Sequence, residues 1–254
     1  MTSFGRARVG GRETWVVERD GEILALPGPP WEGLEPSTGP LDVAALDWLP
    51  PVMPGKILCV GRNYALHAKE RGAEVPAEPL LFLKAPSALV VSGGDVVLPK
   101  ETSHVELEGE MAFVIGRRVR RLPPDVDPAS VIVGWLCADD VTARDLQRRD
   151  GQWSRAKGFD TACPVSRLVG TTPPPRDARL RTRLNGELKQ DAALADMIFD
   201  VAAILAHASA MLTLMPGDLV LTGTPAGCAP LAAGDRVSIE IDGLDPLLHG
   251  VRAE

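Results

Sequence analysis

The sequence predicts an α+β fold that is mainly β, and three observations carry that prediction. From Lys56 onward, short strand-like apolar runs alternate with Gly, Pro and Asp turns. Helical periodicity is sustained over one stretch, residues 196–212 (DMIFDVAAILAHASAML). With 254 residues, 45% of them hydrophobic, the chain can bury one sizeable core.

Taken in order, RETWVVERDGEILAL (residues 12–26) reads as two extended runs joined by a DG turn, a small hairpin. Eight prolines between Pro27 and Pro54 then argue against regular structure and mark a connector. The expected division is therefore an N-terminal hairpin and connector over 1–55 and a main domain over 56–254. The main domain contributes the strand candidates KILCV, PLLFLK, ALVVS, DVVL, MAFVI, SVIVGWLCA, LVLTG and RVSIEI. After the first of these comes GRNYALHAKERG (61–72), which reads as turn and short helix, with Asn63 as N-cap and Gly72 as stop. His67 and Glu70, three residues apart, share one face of that helix.

The net charge of −7 and the absence of a basic block beyond RRVRR (117–121) argue against a nucleic-acid partner. No apolar run is long enough to span a bilayer, and MTSFGRARVGG lacks a signal core, so a cytoplasmic protein without membrane contact is expected. The four cysteines show no C-x-x-C spacing and read as reduced, mostly buried thiols with no assigned chemistry. Neither a dinucleotide or Walker glycine loop nor a G-x-S-x-G elbow is present.

The most informative stretch is HVELEGEMAFVIG (104–116). Glu106, Glu108 and Glu110 alternate, so on a strand they point one way, and the strand continues into apolar sequence on both faces. A solvated acidic strand end is the commoner meaning of such a pattern. Carboxylates entering a core, however, repel one another and need a counter-charge. Asp139 and Asp140, ending the run VIVGWLCA, supply a second acidic site. Two glutamates and an aspartate, with no Cys or His pair beside them, describe a hard divalent cation: Mg²⁺, Mn²⁺ or Ca²⁺.

GRNYALHAKE, PLLFLKAPSALV, EGEMAFVIG, DDVTARDLQ, RAKGFDTACP, LNGELKQ with DMIFDV, TLMPGDLVLTGTPAG and GDRVSIEIDG occur in one order across most of residues 56–243. Together they resemble the fumarylacetoacetate hydrolase family; residues 1–55 lie outside the match. The resemblance implies a mixed β-sandwich roll, commonly a homodimer, with a divalent metal, Mg²⁺ first, held by Glu108, Glu110 and Asp140. It makes Glu106 and Asp139 neighbours of that site. It further implies an acid/base pair of His67 and Glu70 on a lid helix, a charge-bearing Lys157, and substrate contacts from Arg62, Tyr64, Arg144, Gln147, Gly223 and Thr224. VSRL after FDTACP, and AGCAPL in place of a more glycine-rich loop, depart from the family pattern and bear on the shape of the substrate pocket.

The implied substrate is a small 2-oxo acid, and the leading expectation is hydrolysis of a carbon–carbon bond in an acylpyruvate-like compound through a cation-stabilised enolate. Isomerisation of a 2-hydroxyhepta-2,4-diene-1,7-dioate type of acid, or decarboxylation of oxaloacetate, is the alternative. From another class, a non-catalytic protein would need only the three carboxylates. Taken singly, His67 reads as a surface histidine, Lys157 as a solvated lysine and Thr224 as turn chemistry; His207 reads as a helix-packing residue, His249 has no evident partner, and His104 adjoins the acidic strand.

Overall fold

In the computed structural model, which describes residues 2–254, Asp20 and Gly21 both take positive φ (55° and 83°). They turn the strand Arg12–Arg19 back into Glu22–Ala25, giving the expected hairpin. A further strand not foreseen in the sequence, Ser3–Val9, pairs with Arg12–Arg19 on one edge and with Leu168–Gly170 on the other. Its alternation is masked by Arg6 and Arg8, which pair with Glu13. The proline-rich segment is also more regular than expected. Asp47–Leu49 pairs with Arg6, Ala7 and Arg8, after a 3-10 turn at Val43–Ala45 capped by Asp42. The stretch between Pro40 and Pro50 contains no proline, so its backbone donors remain free for pairing.

The main sheet has twelve strands, and its path runs Glu22–Ala25, Arg12–Arg19, Ser3–Val9, Leu168–Gly170, Ile132–Asp139, Gly109–Ile115, Leu219–Leu221, Ile57–Gly61 and Leu80–Lys84. All eight strand candidates of the main domain are strands. The central strand Gly109–Ile115 is buried along its whole length, as its two-sided apolar pattern requires. A second, five-stranded sheet is ordered Glu187–Ala193, Arg179–Leu184, Arg236–Ile241, Leu247–Ala253 and Asp95–Leu98.

The two sheets meet at Gly109. A Cβ there would fall 2.1 Å from Thr182 Oγ1 and 3.0 Å from Gln190 Oε1, so the residue between Glu108 and Glu110 must be glycine. Because side chains alternate along a strand, this contact turns both glutamates away from the second sheet.

Among the described residues there are four α-helices: α1 (Ala65–Glu70), α2 (Arg144–Asp150), α3 (Ser154–Lys157) and α4 (Val201–Met211). Helix α4 is shorter than its periodicity predicts. Asp200 caps it by accepting from the Ala203 amide, and the amides of Ile198 and Phe199, just before it, bond to Asn63 instead. Among the described residues, no helix is long and apolar enough to cross a membrane.

Candidate active site

Helix α1 begins differently from expectation: Tyr64, in extended conformation, is the N-cap, and no side chain caps it. Asn63 instead donates to the carbonyls of Phe199 (2.9 Å) and Thr222 (2.7 Å) and accepts from the Phe199 amide (2.7 Å). It thus pins α1 to the loop after Leu219–Leu221, and the helix ends before Gly72 at φ 61°. On the inward face, His67 Nδ1 lies 3.3 Å from Glu70 Oε2, while the Gly227 amide donates to Glu70 Oε1 at 3.1 Å. His67 Nε2 is left 3.8 Å from Glu108 Oε1. Burial lowers the imidazole's pKa, and this outweighs the opposing pull of Glu108 and Glu70, so the ring is neutral near pH 7.

Glu108, Glu110 and Asp140 converge: one oxygen from each lies within 4.8 Å of the others, and all three residues are buried. Lys157 Nζ bridges Glu108 (2.6 Å) and Asp140 (2.5 Å), and Lys84 Nζ donates to Asp140 at 2.7 Å. Arg144 forks between Glu106 (2.7 Å) and Glu108. Burial opposes charge on Glu108, but Arg144 and Lys157 hold it well below the usual carboxylate range. Glu110 goes the other way. Burial, Asp140 and Glu108 all raise its pKa, and its carboxylate accepts one hydrogen bond among the described residues, from the Gly223 amide at 2.7 Å. A buried all-oxygen trio with one member short of positive charge fits a hard divalent cation.

These groups face a cavity of about 320 Å³, which Arg62, His67, Arg144, Gln147, Lys157 and Thr224 also line. One wall is aromatic: Phe82 and Trp153 meet edge to face at 5.2 Å, and Lys157 Nζ sits 4.8 Å over the Phe82 ring. Gln147 accepts from Arg144 at 3.0 Å. Thr224 donates to the Gly109 carbonyl (2.9 Å) and accepts from Gln190 (2.7 Å), and Gly223, at φ 99°, spends its amide on Glu110. Tyr64 lies outside this lining. It is buried beside a second depression with Asp196 and Pro225, and its hydroxyl has no partner among the described residues.

Several residues at the site were not singled out in the sequence. Lys84 ends an apolar strand, where a lone lysine carries no signal. Arg71 reaches both Glu106 and the cavity. Cys228 places its sulfur 3.7 Å from His67 Nδ1 and 3.7 Å from Glu108 Oε1. Glu106 and Asp139 stand beside the trio: Glu106 pairs with Arg71, Arg144 and His104, and Asp139 pairs with His249.

Mixed sheets that gather a buried carboxylate trio beside His67 mark the chain as one of a family of enzymes. Residues 56–252 match the family model for the fumarylacetoacetate (FAA) hydrolase C-terminal domain, and the chain belongs to that family. It is 40% identical over 202 residues to the mitochondrial oxaloacetate tautomerase FAHD1 of Arabidopsis thaliana, covering 77% of this chain and 90% of that one. Its fold superposes on the 2-hydroxyhepta-2,4-diene-1,7-dioate isomerase of Mycobacterium marinum with a TM-score of 0.89 at 38% identity, over 100% of this chain and 99% of the other. It also matches the fumarylpyruvate hydrolase of Pseudomonas aeruginosa in complex with Mn²⁺ and pyruvate, with a TM-score of 0.74 at 33% identity over 79% and 91% of the two chains.

Proposed function

We propose that this protein is a divalent-cation-dependent enzyme that moves a proton at the carbon beside the keto group of a small 2-oxo acid with a second carboxylate, interconverting keto and enol or shifting a double bond. The observation that carries this reading is the buried, neutral His67 tied at Nδ1 to Glu70, beside the carboxylate trio. With the Nδ1 proton directed at Glu70, the lone pair on Nε2 is free to take a proton from carbon and return it. Glu70 is itself fixed by the Gly227 amide, so the ring is held in one orientation. Lys157 and Arg144 line the same pocket and would set positive charge against the enolate oxygen and the substrate carboxylate, with Phe82 and Trp153 as an aromatic wall. A divalent cation bound by Glu108, Glu110 and Asp140 would supply Lewis-acid polarisation of the 2-oxo acid. The tautomerase and isomerase names of relatives at 38–40% identity support the same chemistry.

Hydrolysis of a carbon–carbon bond in an acylpyruvate-like acid is the second reading. The likeness to the fumarylpyruvate hydrolase favours it, since the same His67–Glu70 pair would deprotonate water. The purified protein with Mg²⁺ should be assayed for enol decay of oxaloacetate, double-bond shift in a hydroxymuconate-type diacid, and cleavage of acetylpyruvate. Acceleration of a proton shift, lost in His67→Ala and on chelation, is expected. Cleavage of acetylpyruvate alone would select the second reading, and inertness towards all three would overturn both.

A further inference from the structure

We infer that His67, Cys228 and Glu108 form a second, softer cation site that takes Zn²⁺ and switches the enzyme off by occupying the imidazole; the inhibitory part rests on the function proposed above. One ligand atom from each residue lies within 4.8 Å of the others. The Cys228 sulfur is 3.7 Å from His67 Nδ1 and 3.7 Å from Glu108 Oε1. Around tetrahedral zinc, with bonds of about 2.3 Å to sulfur and about 2.0 to 2.1 Å to nitrogen, neighbouring donors stand roughly 3.5 Å apart. The sulfur is therefore a few tenths of an ångström from ligand spacing on both sides.

The donor set also differs in kind from the all-oxygen trio. Imidazole and thiolate select zinc over magnesium, whereas Glu110 and Asp140 offer hard oxygen alone. Zinc takes His67 as neutral imidazole and Cys228 as thiolate, so the Cys228 thiol gives up its proton on binding. Zinc displaces that proton to solvent as the sulfur–metal bond forms. Since the sulfur lies near Nδ1, zinc also competes with Glu70 for the ring, and a fourth position is left for water.

Co²⁺ titrated into the Glu110→Gln variant, whose hard site is disabled, is expected to give a thiolate-to-cobalt charge-transfer band that Zn²⁺ abolishes. In the double variant that also carries Cys228→Ser the band should be missing. Cys59, Cys137 and Cys163 are also free and buried, and the double variant, which keeps all three, is the control for any band they give. In the wild-type background with saturating Mg²⁺, Zn²⁺ inhibition, measured relative to each protein's own zinc-free turnover, should be weakened about tenfold or more by Cys228→Ser. Absence of the band with Cys228 present, or equal zinc inhibition with and without the thiol, would overturn the site. Because the band needs no turnover, it separates failure of this site from failure of the proposed activity.

Discussion

His249 Nε2 lies 2.9 Å from Asp139 Oδ2, with both side chains sealed from solvent, and Asp139 Oδ1 accepts the backbone amide of Glu108 at 2.7 Å. This chain of contacts ties the C-terminal strand Leu247–Ala253, in the second sheet, to the backbone that presents the carboxylates. His249→Ala strands a buried carboxylate and should cost about 3 kcal/mol of folding stability. Urea denaturation would measure this. Asp139→Asn keeps an acceptor for the Glu108 amide, so it should retain more divalent-cation affinity than Asp139→Ala. Equal cation affinities in the two would show that the tie does not position Glu108.

Cation binding should be visible without turnover. At a free Mn²⁺ concentration about a hundredfold above Kd, the native state gains about 3 kcal/mol, which appears as a raised Tm. Glu108→Gln and Asp140→Asn should lose that increment. Each also leaves Lys157 with one carboxylate where it now has two. A wild-type Tm that ignores Mn²⁺ and chelator alike would remove the cation from the site.

Most of the site was legible because its residues follow strand ends and turns. Glu108 and Glu110 lead into one apolar run and Asp140 follows another, and the neighbouring strands Gly109–Ile115 and Ile132–Asp139 bring those ends side by side through the pairing of Gly109 with Asp139. Less legible were strands whose alternation is written in charges. Arg179–Leu184 and Glu187–Ala193 form a hairpin around Asn185 and Gly186, at φ 54° and 85°, yet Arg179, Arg181 and Arg183 hide its apolar face. Partners far apart in sequence were not legible at all: Asp139 with His249, Lys84 with Asp140, and Cys228 with His67 meet only after the sheets form. Asn63 looked like a cap because capping is local, whereas its bonds run to Phe199 and Thr222.

The pH profile should carry the signature of a buried base. As the proposed base, His67 would act when neutral, and burial lowers its pKa, so the acid limb of kcat/KM should lie below the ordinary histidine value of about 6.5, with activity falling as pH drops through it. Glu70 favours the charged ring, so Glu70→Gln should move this limb to still lower pH while reducing kcat by about tenfold to a hundredfold. A limb that moves up in Glu70→Gln would contradict the assignment of His67 as the base.

Arg71 should set preference for the far end of the substrate. It sits one residue past α1, reaches Glu106, and faces the cavity alongside Arg144. Glu106 is already shared with Arg144 and His104, so Arg71 has donors to spare for an incoming carboxylate. Arg71→Met keeps the length of the side chain and removes its charge. It should lower kcat/KM for a diacid by about tenfold, mainly through KM, and leave a monoacid of the same head group nearly unchanged. Steady-state kinetics on a matched pair of 2-oxo acids would decide this, and equal losses on both would assign Arg71 to holding Glu106 rather than to recognition.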